Sequence, residues 1–250
     1  MNIRRPSVLG TVSLLAALAV LTTSGCAAWR IKQSVELARQ SQPFQASPQN
    51  AGASLLVVGD STAVGTGASS PAASLAGLIA REHPRLKIVN RAADGAKYED
   101  IVRQLEGAAG ERFDAILVLG GGNDVIRLTP YAPLEEHIAR VGTLARTQAR
   151  LVVFMPSGNV GSAPFFFPPW SWLMTQRSRA LHAVVRQVAA DNGALYVNLF
   201  KEKRDDPFAQ RPDELNAKDG LHPSDEGYRL WLAELNSQAD LGRRLAALQR

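Results

Sequence analysis

Ser61, Asp219 and His222 are the residues of this chain whose types and spacing point most directly to chemistry. Ser61 follows four apolar residues, Leu55 to Val58, and the pair Gly59-Asp60. A serine hydroxyl is a weak nucleophile until a base removes its proton, and histidine is the base best poised near neutral pH. Of the four histidines, His83 and His182 fall in helical or helix-end contexts and His137 in a charged helical stretch. Only His222 lies in a turn with an acid three residues before it, in Asp219-Gly-Leu-His222. That spacing lets the Asp219 carboxylate hold the imidazole Nδ1–H and leaves Nε2 for Ser61. Acyl transfer also requires donors aimed at a developing oxyanion. The candidates are the Ser61 N–H, the N–H of Gly95, where the missing side chain permits close approach, and the side-chain amide of Asn123. Asp124, beside it, is read as a partner for local backbone rather than as an acid.

These residues need elements to carry them. The run Leu55–Val58, ending at glycine, suits a buried parallel strand, and chemistry in open α/β sheets gathers at the carboxyl ends of strands. Strands are expected at Ser54–Val58, Leu86–Asn90, Ala115–Leu119, Leu151–Met155 and Ala194–Leu199. Helices are expected at Pro71–Glu82, Lys97–Glu106, Leu134–Thr147 and Thr175–Asp191, with a last helical stretch from about Ser224, interrupted near Leu241. In the third of these, Ile138, Val141 and Leu144 share one face, as an amphipathic helix requires. Five strands separated by crossover helices predict a three-layer α/β/α sandwich with a five-stranded parallel sheet and right-handed connections. Gly95 then follows the second strand, Gly121-Gly122-Asn123-Asp124 the third, and Asp219-x-x-His222 the fifth. All would meet at one edge beside Ser61.

Gly59-Asp60-Ser61, Gly95, Gly121-Gly122-Asn123-Asp124 and Asp219-x-x-His222 resemble, in order, the four blocks of the SGNH (GDSL-type) hydrolase superfamily. Thr62 stands where the older name has leucine. The resemblance covers roughly Ser54 to Leu235. It implies a flavodoxin-like sheet, Ser61 as nucleophile, His222 as base with Asp219 behind it, and an oxyanion hole of Ser61, Gly95 and Asn123. It also implies neither a metal nor an organic cofactor, and no His/Cys/Asp cluster in the sequence has metal-ligand spacing. Other motifs fail: Gly65-x-Gly67 has Ser70 where a dinucleotide fingerprint wants glycine, and no phosphate-loop Gly-Lys-Ser/Thr occurs.

The remaining stretches bear on location and substrate. Arg4 and Arg5 precede an apolar stretch from Val8 to Leu21, short for a membrane span, and small residues then lead to Cys26. This is the pattern of a secretory signal over 1–25. Ser24-Gly25-Cys26 resembles a bacterial lipoprotein cleavage site, with Cys26 lipidated as the mature N-terminus, although Thr23 stands where that class usually has leucine. A signal cut at Ala28 and an uncleaved anchor are the alternatives. Cys26 is the only cysteine, so the chain forms no internal disulfide. Residues 26–52 read as a tether with one or two helical turns near Ile31–Arg39, and 53–250 as the hydrolase domain.

The formal charge of +5 falls to +3 without Arg4 and Arg5, and the rest is scattered among acids, which argues against nucleic acid as a partner. After the fourth strand, Phe165 to Met174 holds three Phe and two Trp among prolines. Phe166 and Trp170 are candidates to line an ester pocket or dip into a membrane surface; the alternative is a loop folded onto the core. The function expected is a membrane-tethered or exported serine esterase for short- to medium-chain or lipid esters. Deacetylation of a polysaccharide is the alternative within the same chemistry, and a non-catalytic glycan- or lipid-binding envelope protein the alternative outside it.

Overall fold

The computed structural model describes residues 29–248; the expected signal segment 1–25 and Cys26 lie outside them. Five parallel strands form one sheet: β1 (Ala53–Gly59), β2 (Leu86–Asn90), β3 (Phe113–Gly120), β4 (Ala149–Pro156) and β5 (Leu195–Tyr196). Their order is β2-β1-β3-β4-β5. This is the flavodoxin-like order, whose switch point lies between β1 and β3. Leu55 of β1 pairs with Ile88 of β2 on one side and Ala115 of β3 on the other.

The continuous apolar runs of the central strands follow from burial on both faces. Leu55 and Val57 point into one core cluster, while Leu56 and Val58 point into the other. The first cluster is completed by α3 (Leu75–Glu82), α10 (Asp225–Ala239) and α11 (Leu241–Leu248) through Leu78, Ile79, Leu232, Leu235 and Leu245. The second is completed by α4 (Tyr98–Glu106), α6 (Tyr131–Gln148) and α7 (Trp170–Asp191) through Ile101, Leu105, Ile138, Val141 and Val185. Three layers result, as the alternation of elements predicts. Short helices α2 (Ser61–Val64), α5 (Gly122–Ile126), α8 (Pro207–Gln210) and α9 (Pro212–Leu215) lie in the connecting segments.

Several boundaries differ from expectation, each for a local reason. The helix expected over Pro71–Glu82 divides, because Ser74 turns extended and its hydroxyl caps α3 by accepting from Gly77 N–H. The fifth strand is shorter than Ala194–Leu199. Val197 still donates to Phe154 O (2.8 Å), but at Asn198 the backbone turns to the side chain of Gln238 on α10. The long helix α7 starts at Trp170 rather than Thr175, taking two tryptophans into its first turn. The final helical stretch breaks at Asp240, which is left-handed, where the interruption near Leu241 is expected.

The stretch 26–52, read as a tether with one or two helical turns, is helical over residues 29–40, here α1, which is about three turns. Its continuation adds to the sheet edge: Ala46 and Ile88 exchange backbone hydrogen bonds of 3.1 and 2.8 Å. Among the described residues, no helix is long and apolar enough to cross a membrane.

Candidate active site

β1 runs into Gly59, where φ is +151° and a Cβ would lie 1.7 Å from Leu119 O, so only glycine lets β1 and β3 stay paired there. The Gln104 side chain brackets its backbone, accepting from Gly59 N–H (2.7 Å) and donating to Gly59 O (2.9 Å). Asp60 then caps α2, accepting from Thr62 N–H (2.9 Å) and Thr62 Oγ1 (2.7 Å). Ser61 is thereby the first residue of α2, at the carboxyl end of β1 and beside the switch point.

The structure brings the three residues singled out for chemistry into one chain of contacts. Ser61 Oγ lies 2.9 Å from His222 Nε2, and His222 Nδ1 lies 2.6 Å from Asp219 Oδ2. With Nδ1–H donated to Asp219, Nε2 is the acceptor for the Ser61 hydroxyl. The other Asp219 oxygen accepts from Leu221 N–H (3.0 Å) and His222 N–H (3.1 Å), folding the turn that aims the ring. Asp219 is fully buried. Burial alone raises its carboxyl, but the bond from His222, the imidazole's charge and the two N–H groups outweigh that and hold it below its ordinary value. Its ionised form is thereby favoured beside the imidazole.

Gly95 and Asn123 line the same pocket as Ser61 and His222. Gly95 is left-handed (φ +76°), and a Cβ there would approach the Arg127 guanidinium to 3.1 Å. Among the described residues, the Asn123 side-chain amide donates no hydrogen bond to another protein group. Asp124, expected to bond local backbone, is buried and instead accepts from Tyr98 N–H (2.9 Å), 26 residues away at the start of α4.

Other residues hold these loops in register, and sequence reasoning missed them. Tyr228 on α10 donates to Thr66 O (2.8 Å), tying the histidine loop to the serine loop. Thr66 Oγ1 meets Asp94 Oδ1 at 2.6 Å, tying the serine loop to the Gly95 loop. Asn90 Nδ2 reaches Ala63 O (2.8 Å) from the end of β2. A polar residue closing an apolar strand, as Asn90 does, was the one visible signal. Asp60, buried beneath Ser61, has its carboxyl pushed up to about 6 by desolvation, against the hydrogen bonds from Thr62. His182 is no second base. Its nitrogens meet Tyr196 Oη (2.7 Å) and Ser157 O (2.8 Å), and burial lowers it to about 4.

The pocket has a volume of about 560 Å³. Ile126, Val160, Leu199 and Phe208 give it apolar walls, and Arg127, Asn159 and Asp206 are among its polar ones. Phe166 and Trp170, the candidates for substrate contact, do not line it. Phe166 packs against the second core cluster and edge-on to Phe165, with ring centroids 4.9 Å apart. Trp170 opens α7 and points outward, 58% exposed. Among the described residues, no group of three or more His, Cys, Asp or Glu side chains is placed to hold a metal ion.

A serine, histidine and aspartate linked in this way at the β1 end of a flavodoxin-like sheet define a hydrolase of the serine type. The model of the GDSL-like Lipase/Acylhydrolase family matches residues 57–230, so the chain belongs to that family and is an ester-hydrolysing enzyme. No curated protein sequence matches it. Among solved structures it is similar to LAE5, an alpha/beta hydrolase enzyme from the metagenome of Lake Arreo, with a TM-score of 0.61 and 18% identity over 76% of this chain and 96% of that one. It is also similar to TesA, with a TM-score of 0.59 and 22% identity over 76% and 99%. A catalytic mutant of Axe2, an acetylxylan esterase from Geobacillus stearothermophilus, gives a TM-score of 0.56 and 18% identity over 76% and 94%. At these identities the likeness is one of fold.

Proposed function

We propose that the protein is a serine esterase that hydrolyses short- to medium-chain acyl or lipid esters through an acyl-enzyme on Ser61. The observation that carries this is the unbroken line from Asp219 through His222 to Ser61, opening into a largely apolar pocket. Ser61 Oγ attacks the ester carbonyl carbon while its proton passes to His222 Nε2, and Asp219 stabilises the imidazolium. The carbonyl oxygen, now negative, lies among the Ser61 N–H, the Gly95 N–H and the Asn123 amide, which lower the barrier to the tetrahedral species. Collapse breaks the C–O bond to the alcohol, which leaves with the proton from His222. Water, activated by the same imidazole, then attacks the acyl-enzyme, and the acid departs as Ser61 recovers its proton.

The protein is further proposed to be exported and held to a membrane by lipid on Cys26. Cys26 lies three residues before Trp29, the first described residue of α1, so a lipid there would hold that end of the helix near the bilayer. Phe167, Trp170 and Trp172 are exposed, and Arg30 of α1 lies over the Phe167 ring at 5.3 Å, which sets Phe167 beside that helix. They suit an interface between water and lipid better than an ester pocket.

The test is turnover of p-nitrophenyl esters from acetate to dodecanoate by the full chain in detergent, with Ser61→Ala alongside. The proposal predicts hydrolysis that peaks above acetate and falls about 10⁴-fold or more in the variant. A profile confined to acetate favours a deacetylase instead, and turnover untouched by the substitution refutes the serine mechanism.

A further inference from the structure

The family model begins at residue 57, yet the pocket has a wall made from residues before it. Ser34, Val35, Ala38 and Arg39 of α1 all line the cavity. Their spacing, two adjacent pairs four residues apart, is that of one helix face. Lys32 and Glu36 lie off this face and are exposed.

Both ends of α1 are fixed to loops that carry the site. At its start, Arg30 lies over the Phe167 ring and close to Gly220, inside the Asp219–His222 turn. Beyond its end, the Gln45 amide brackets Asn90, accepting from its N–H (2.9 Å) and donating to its carbonyl (2.7 Å). Ala46 then pairs with Ile88, so the chain joins β2, whose following loop holds Gly95. The helix thus runs along the carboxyl edge of the sheet from the histidine loop toward the Gly95 loop, over the mouth in which Ser61 sits. About 18 Å of helix is long enough for that span.

We propose that α1 is the acyl-selecting wall of this enzyme, with Val35 and Ala38 meeting the hydrocarbon chain of a medium-chain ester. The inference rests on the esterase reading above and adds to it the element that sets chain length. The cavity is far larger than an acetyl group needs. Val35, nearly half-exposed, is the kind of surface an acyl chain would cover. Each methylene buried there is worth about a fourfold gain in kcat/KM. A family fold with a general hydrolytic edge would then acquire its selectivity from a segment outside the family's own boundaries.

The experiment uses the full chain in detergent and reads the ratio of kcat/KM for p-nitrophenyl octanoate to that for the acetate. Ala38→Trp and Val35→Trp fill the wall and are expected to lower the ratio at least tenfold. Val35→Ala, a truncation that brings no clash, is expected to move the preferred chain toward longer esters. Lys32→Ala, on the same helix but off the lining, is expected to leave the ratio within about twofold. An unchanged ratio in the Val35 and Ala38 variants, with the unsubstituted enzyme active, overturns the role of α1 alone. No turnover by the unsubstituted enzyme on any ester overturns the esterase reading and this inference with it.

Discussion

At the scale of single residues, the account depends on where protons and charge sit. Asp219→Asn keeps the size of the side chain but no longer fixes the histidine tautomer, and a fall in kcat of about 10³- to 10⁴-fold is expected. Circular dichroism and thermal melting should show the fold intact. Asn123→Ala removes one oxyanion donor and should cost about 10²- to 10³-fold in kcat with little change in KM, because the donor acts on the transition state. A loss expressed mainly in KM would assign Asn123 to substrate binding instead. The placement of these residues was legible in the sequence because Ser61, Asp219-x-x-His222 and Asn123 each sit just past an apolar run or in a turn, at the strand ends where chemistry gathers. Thr66 and Tyr228 were not legible: their work is done by a carbonyl and a hydroxyl that meet only after folding, 162 residues apart in sequence.

At the scale of elements, the loops that carry the site are held by a few contacts that tolerate little change. Gly59→Ala would place a methyl group against Leu119 O, at the start of the serine turn. A loss of at least about 3 kcal/mol in unfolding free energy, or failure to accumulate folded protein, is expected from denaturant titration. Tyr228→Phe keeps the packing and leaves Thr66 O without its donor, which should cost about 1 to 2 kcal/mol. Its kcat should fall less than that of Asn123→Ala, since Tyr228 touches no reacting atom. The central strands and helices could be read because burial on both faces writes continuous apolar runs and amphipathic stripes. The fifth strand and the start of α7 were misjudged where tertiary contacts decide: Gln238 takes over the backbone at Asn198, and Trp170 joins a helix despite the prolines before it. Phe166 and Trp170 illustrate the same limit. Aromatic composition marks a segment as apolar but does not say which way it faces.

At the scale of the whole molecule, buried ionisable groups tie stability to pH. Asp60 ionises near 3.8 when unfolded and near 6 when folded. Between those values the unfolded chain has released a proton that the folded one keeps, so this group's contribution to stability is lost as pH rises toward 6. A shift of about two units corresponds to about 3 kcal/mol. His182 slopes the other way: its folded value near 4 costs stability as pH falls below its ordinary 6.5. Asp219, held below its ordinary value, loses its contribution only at still lower pH. Comparison of Asp60→Asn with the unsubstituted protein isolates the first effect. The variant should be the more stable by up to about 3 kcal/mol above pH 6, and the difference should close by about pH 4. A difference that stays constant from pH 4 to 7 would show that Asp60 does not titrate in that window. The role of α1 also belongs to this scale. Its sequence reads as little more than a polar segment with a turn or two of helix, since neither its length nor its place over the pocket is written in local periodicity.

The central claim is a covalent acyl group on Ser61, and trapping it is the most direct test. The full chain is mixed with p-nitrophenyl octanoate, quenched in acid within the first turnovers, digested and analysed by peptide mass spectrometry. The account predicts an octanoyl adduct on the peptide containing Ser61, absent in Ser61→Ala and accumulating further if deacylation is slowed in Asp219→Asn. Hydrolysis of the ester with the acyl group found on another residue, or with no adduct on Ser61 under any quench, would contradict it.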